Sequence, residues 1–238
     1  MLSNAADEAI RAMTNRALDS MYEFKGSNVE LKCIVVETNA SAKSYEQHWV
    51  HTLKPNVTFN YNQFINFGYA FSVGVWPEFF TVNNDCETFV AIGNNDLIYH
   101  PPWATELIKG INENNLDSAS PINIGWQFHK DFEEDNSRNV FEGWRIGWEF
   151  CGWKLLFKLA SFKKIYPLDE RFLFWCQDND LALNMHKMNM KHALIKSSKV
   201  THLTSQSHHL IPIDKQYEFT HGQGEVLAQN IKEGKYDK

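Results

Sequence analysis

Apolar residues recur at three- and four-residue steps through Asn4–Phe24, at Ile10, Met13, Ala17, Met21 and Phe24. That spacing predicts an amphipathic helix, with Ser3 or Asn4 as its N-cap ahead of Asp7 and Glu8. Gly26-Ser27-Asn28 breaks the period, and the β-branched run Val29–Glu37 reads as a strand ending in the polar turn Thr38-Asn39-Ala40-Ser41. A helix over Ala42–Leu53, a short strand at Val57–Tyr61 and a helix over Phe64–Val75 are expected next. Glu87–Ile92 reads as a strand, and Pro101–Asn114 as a helix with prolines in its first turn. Beyond Ile122 the rhythm loosens. Asp131–Asn139 reads as a charged, exposed loop, Lys154–Ser161 as a short helix, and Asp180–Met190 as a longer one. Strands are expected at His192–Ile195 and Lys199–Leu203, and a terminal helix at Gly224–Lys232.

Strands alternating with helices predict a single α/β domain, a Rossmann-type, mostly parallel sheet flanked by helices. Ligands bind such sheets at the carboxyl ends of the strands, where Glu37 and Asp96 both fall. A length of 238 residues suits one sizeable domain.

Composition narrows the partners. With 23 Lys+Arg against 29 Asp+Glu the net charge is −6, and no long basic block is present, which argues against nucleic-acid binding. No apolar run has the length of a transmembrane segment, and the first residues lack the pattern of a secretory signal. Four cysteines without a CxxC pair fit reduced, packed thiols, so a cytoplasmic setting is expected. Tryptophans cluster in the middle third (Trp126, Trp144, Trp148, Trp153, Trp175), where some can stack on sugar rings while most pack the core.

Three places could carry chemistry. Asn94-Asn95-Asp96 ends an apolar strand, and one carboxylate suffices for Mg²⁺ or Mn²⁺ when phosphate oxygens complete the shell; the plainer reading is an ordinary turn. In Gln177-Asp178-Asn179-Asp180, Asn179 or Asp180 can cap the following helix, leaving Asp178 free to accept a proton. His202 follows an apolar strand and can ligate a metal or simply pack. A zinc site from His202, His208, His209 and His221 lacks the spacing of known zinc motifs.

The order of these segments resembles the nucleotide-sugar glycosyltransferases of family 2, which have the GT-A fold. The matching segments are Ile34–Ser41, Asn66-Phe67-Gly68, Val90–Asp96, Cys151-Gly152-Trp153, Leu168–Phe172, Gln177–Leu181 and His202. Together they run from about residue 8 to 207. Two features depart from the pattern: the usual first strand is lacking, and Gln177 stands where a Glu is usual. The resemblance implies a nucleotide-binding half at 1–120, an acceptor and catalytic half at 121–210, and a polar tail at 211–238. It implies donor binding by Glu37, Asn39, Asn66, Asn95 and Asp96, and acceptor binding by Trp153 and Trp175. Asp96 and His202 would hold Mn²⁺ or Mg²⁺, and Asp178 would be the general base. The expected activity is inverting transfer of a sugar from a nucleotide-diphosphate sugar to a glycan or other hydroxyl acceptor. The alternatives are a non-catalytic domain that binds nucleotide sugar or glycan, and a related nucleotidyl- or phosphotransferase.

Overall fold

A computed structural model describes residues 1–5, 7–56, 60–80, 87–203, 213, 214, 217 and 221–237. The chain opens with a two-residue strand, β1 (Leu2–Ser3), then α1 (Glu8–Glu23), β2 (Cys33–Glu37) and β3 (Val50–Leu53). These are followed by α2 (Tyr61–Val75), β4 (Phe89–Gly93), β5 (Leu97–Tyr99), α3 (Trp103–Glu113) and β6 (Ser118–Asn123). The second half holds α4 (Lys130–Glu134), β7 (Val140–Glu142), β8 (Lys154–Lys158), α5 (Leu159–Ile165), α6 (Gln177–Lys187), β9 (His192–His202) and α7 (His221–Lys232).

The strands form a parallel trio, β1-β2-β3, and a mixed sheet of order β4-β8-β6-β9-β5 with β7 on β9. A parallel bridge between Leu2 and Asn94 joins the two. Within the mixed sheet, β6 and β9 are parallel and the other pairings antiparallel. The α/β class expected from the alternation holds.

Period-two alternation divides the core. Cys33 and Val35 of β2 face a cluster built on α1 and α3, with Leu18, Trp103, Leu107 and Ile111, while Ile34 and Val36 face Phe64 of α2. On β8, Leu156 joins the α1/α3 side, and Leu155 and Phe157 pack with Phe162, Leu181 and Met185 of α5 and α6. Each such side chain removed from water contributes roughly 1.5–3 kcal/mol.

Several local expectations are corrected. The first helix is capped by Asp7, whose side chain accepts from the Ile10 amide at 2.9 Å, because Ser3 is drawn into β1. The helix expected over Ala42–Leu53 does not form: residues 42–49 contain no helix, and Val50–Leu53 is a strand whose backbone completes the parallel edge of β2. Of the expected strand at Val57–Tyr61, residues 57–59 lie outside the described residues, and Asn60 and Tyr61 instead cap and open α2. Lys154–Lys158 is a strand paired on both sides, by β4 and β6, and the helix begins only at Leu159. The two strands expected after His192 are one, β9, whose register against β6 jumps from Pro121↔Ile195 to Ile122↔Lys199. Within Asp131–Asn139 the first residues belong to α4.

Candidate active site

β4 ends at Gly93, and the sharp turn Asn94-Asn95-Asp96 carries the chain into β5. Long-range bonds fix the turn: the Asn94 amide donates to the Trp153 carbonyl at 2.9 Å, and the Asn95 side chain donates to Thr14 Oγ1 of α1 at 2.9 Å. Antiparallel pairing of Leu97 with His202 then sets His202 beside Asp96, with Nε2 and Oδ1 3.1 Å apart. Both side chains are largely buried. Neither of those two atoms completes a hydrogen bond, and neither does the buried indole Nε1 of Trp153. Trp153 stacks on the His202 ring, centroids 5.2 Å apart. Asp96 Oδ1 and His202 Nε2 thus have only their close approach to each other, and Trp153 Nε1 has no hydrogen-bond partner, an uncommon concentration of unbonded buried polar atoms.

Asp178 reaches the same region from α6. Its helix begins after Cys176, a non-glycine residue at φ 61°, in the left-handed region that costs β-bearing residues energy. Gly152 lies against the carboxylate so closely that a Cβ there would stand 2.9 Å from Asp178 Cβ, so only glycine fits. Burial raises the pKa of Asp178, partly offset by the Asn179 amide, which donates to its Oδ1 at 2.9 Å. Tyr61, at the start of α2, is within reach of both carboxylate charges: its hydroxyl donates to Asn94 Oδ1 at 3.1 Å, and burial first, then the charges of Asp178 and Asp96, raise its pKa.

The structure therefore brings together Asn95, Asp96, Trp153, Asp178 and His202. The other expected residues make these contacts. Glu37 is fully buried and accepts from the amides of Ala5 and Asn39 and from the Tyr45 hydroxyl, at 3.0, 2.8 and 3.3 Å. Asn39 donates to the Ala5 carbonyl and accepts from the Ser41 amide. Asn66 clamps the loop before α6, bonding the Leu168 amide and carbonyl and the Glu170 carboxylate. Trp175 is 53 % exposed, one residue before the strained Cys176. Asp180 is not the helix cap. It lies inside α6 and binds Lys235 Nζ at 2.6 Å, together with Tyr236 and Asn184, tying the end of the chain to the helix. Gly152 and Tyr61 are site-forming residues the sequence reading did not select. Gly152 was visible as a glycine before Trp153, whereas nothing local marks Tyr61.

A carboxylate and an imidazole with open lone pairs suit a divalent cation whose other positions go to diphosphate oxygens and water. Among the described residues no third His, Cys, Asp or Glu completes a metal cluster. His208 and His209 lie outside the described residues, so the four-histidine zinc grouping has no description here.

Among solved structures, the chain is similar to GalNAc-T7 crystallised with UDP, GalNAc and Mn²⁺, with a TM-score of 0.60. The match covers 84 % of this chain at 8 % identity. The fold is GT-A. This chain spans 42 % of that protein's length, and the likeness carries the GT-A fold alone. No protein-family model matches the sequence, and no curated protein does. Among the described residues no helix is long and apolar enough to cross a membrane.

Proposed function

We propose that this protein is a nucleotide-sugar glycosyltransferase whose catalytic centre is the Asp96–His202–Asp178 cluster. The observation that carries this reading is the meeting of Asp96 Oδ1 and His202 Nε2, 3.1 Å apart, buried and without hydrogen bonds, at the end of β4. The GT-A fold supports it, as does a solved structure of that fold with UDP and Mn²⁺ bound.

On this reading Asp96 and His202 would hold Mn²⁺ or Mg²⁺, with Asn95 beside them and the donor diphosphate completing the site. A divalent cation bound there would neutralise the charge of a departing nucleoside diphosphate. Asp178 accepts the proton of the acceptor hydroxyl, and its raised pKa brings it toward the range where a carboxylate works as a base near neutrality. Direct attack by that hydroxyl displaces the diphosphate in one step and inverts the anomeric centre. Tyr61 holds the Asn94 side chain within electrostatic reach of both carboxylates. Trp153 and Trp175 offer faces to the acceptor, a glycan or another hydroxyl compound. Glu37, Asn39 and Asn66 act one step back, holding the segments that carry the site. Residues 1–120 supply the donor side and 121–210 the acceptor side.

The test is thermal stabilisation by UDP, GDP and dTDP, each with Mn²⁺ or Mg²⁺. A nucleotide shift that requires the metal and disappears in Asp96→Ala is expected; no shift with any nucleotide sinks the reading. A metal-dependent shift without turnover toward any sugar acceptor would favour a binding domain instead.

A further inference from the structure

Trp126 and Phe128 join none of the apolar core clusters among the described residues, although both are large aromatic side chains. Ile124 joins none either and is 39 % exposed. All three lie in the loop that leaves the carboxyl end of β6. That loop starts beside the candidate site, because the side chain of Asn123, the last residue of β6, accepts from the His202 amide at 2.9 Å.

Bonds along the loop hold it in one shape. The Asn123 amide donates to His129 Nδ1 at 2.8 Å, and His129 Nε2 donates to the Trp148 carbonyl at 2.8 Å. The Trp126 indole donates to the Gly147 carbonyl at 3.1 Å. A run of ring contacts leads outward from His202. Trp153 stacks on it, Trp126 meets Trp153 with centroids 6.2 Å apart, and Phe128 meets Trp126 at 5.4 Å. Trp148 is covered by Phe128, nearly parallel at 5.1 Å, and by the Arg145 guanidinium at 4.6 Å, so it supports the run from below. Among the described residues a Cβ on Gly125 or Gly147 would meet nothing within 4 Å, so open space adjoins both loops.

We propose that Trp126 and Phe128 form an acceptor subsite beyond Trp153, and that the acceptor is an uncharged oligosaccharide whose further sugars lie along these rings. The acceptor role rests on the transferase reading; the binding of the glycan does not.

Sugar rings pack their C–H faces on aromatic side chains and keep their hydroxyls for water and polar groups. Charge selects among sugars. Glu133 accepts from the Gly125 amide at 3.0 Å and sets a carboxylate at the edge of the run. The neighbouring cations are already paired, Lys130 with Glu134, Arg138 with Asp135 and Arg145 with Glu149. A sialylated, uronic or phosphorylated acceptor would therefore meet a like charge without a free cation to offset it. An anionic lipid surface is disfavoured for the same reason, since such surfaces select basic faces. A protein partner needs roughly 800 Å² on each side, far more than three partly covered side chains expose.

The test is binding to an array of neutral, sialylated and sulfated oligosaccharides without nucleotide or metal, followed by calorimetry with the neutral binders. Neutral glycans are expected to bind, with affinity rising from disaccharide to hexasaccharide. Trp126→Ala should weaken the hexasaccharide about tenfold or more, and Phe128→Ala about threefold or more. Trp126→Tyr keeps a ring but loses the bond to Gly147, and should retain most of the affinity. If Trp126→Ala does not fold, unchanged hexasaccharide affinity in Phe128→Ala overturns the proposal. Binding confined to acidic glycans, or capture by phosphatidylserine vesicles with no glycan bound, overturns it too, as does equal binding by Trp126→Ala and the wild type. The wild-type thermal shift with UDP and Mn²⁺ is measured in parallel. That shift without binding to any neutral glycan removes this inference alone. Glycan binding through Trp126 without any nucleotide shift removes the transferase reading and leaves the glycan site standing.

Discussion

Two buried polar clusters lie at strand ends in this protein and differ in one respect. Around Glu37, every strong acceptor is filled: the carboxylate takes two backbone amides and the Tyr45 hydroxyl. Around Asp96, the carboxylate Oδ1, His202 Nε2 and Trp153 Nε1 are buried and unfilled. A filled cluster stabilises the fold; an unfilled one lowers stability and persists where a ligand completes it. Sequence position assigned both acids to the donor, and only the bonding separates them.

The comparison can be sharpened, beginning with the largest effect. Asp178→Asn should lower transfer by about a hundredfold or more while leaving the nucleotide-induced thermal shift in place. Near wild-type turnover in that variant would remove Asp178 as the base. Next, Glu37→Ala should cost about 3 kcal/mol in urea unfolding, because it strands two amides and a hydroxyl in the core. Asp96→Ala should cost nothing comparable without ligand and should abolish the nucleotide shift. If Asp96→Ala destabilises the free protein as much as Glu37→Ala, the distinction between the clusters fails. Asn66→Ala should lose about 2 kcal/mol by releasing the loop at Leu168, with nucleotide affinity changed little once folding is accounted for.

A pH dependence is expected as well. His129 and His192 are buried neutral: burial lowers both pKa values to about 4 from 6.5. His129 accepts the Asn123 amide, and His192 lies against Ser118 and the Glu149 carbonyl. The unfolded chain binds those protons first, so stability is full above pH 6.5 and falls as pH drops toward about 4. Urea midpoints across that window should decline, and His192→Gln should flatten the slope. An unchanged slope would show that His192 does not stay neutral when folded.

Elements with a strong period were legible from sequence. α1, α3 and α6 each carry enough apolar repeats to mark a helix, and β2 and β4 carry β-branched runs. β6, Ser118–Asn123, reads as Ser-Ala-Ser-Pro-Ile-Asn and gives no strand signal, yet it lies between β8 and β9 at the centre of the sheet. Its small, polar residues are fully buried because the neighbouring strands and α3 enclose them. Lys154–Lys158 had the composition of either element, and pairing on two sides decided for a strand. Asp180 looked like a cap by position. Its partners are Lys235 and Tyr236, more than fifty residues away, beyond the reach of a local pattern.

By itself the sequence determined the α/β class, most helices and the candidacy of Asp96, Asp178 and His202, because periodicity and chain order are local properties. Tertiary structure decided which acids are satisfied, that His202 meets Asp96 through a β5–β9 pairing, and that Tyr61 and Gly152 shape the site. Those facts depend on contacts between residues far apart in the chain, and a hydrogen bond is counted as made or missing only when both partners have been brought together.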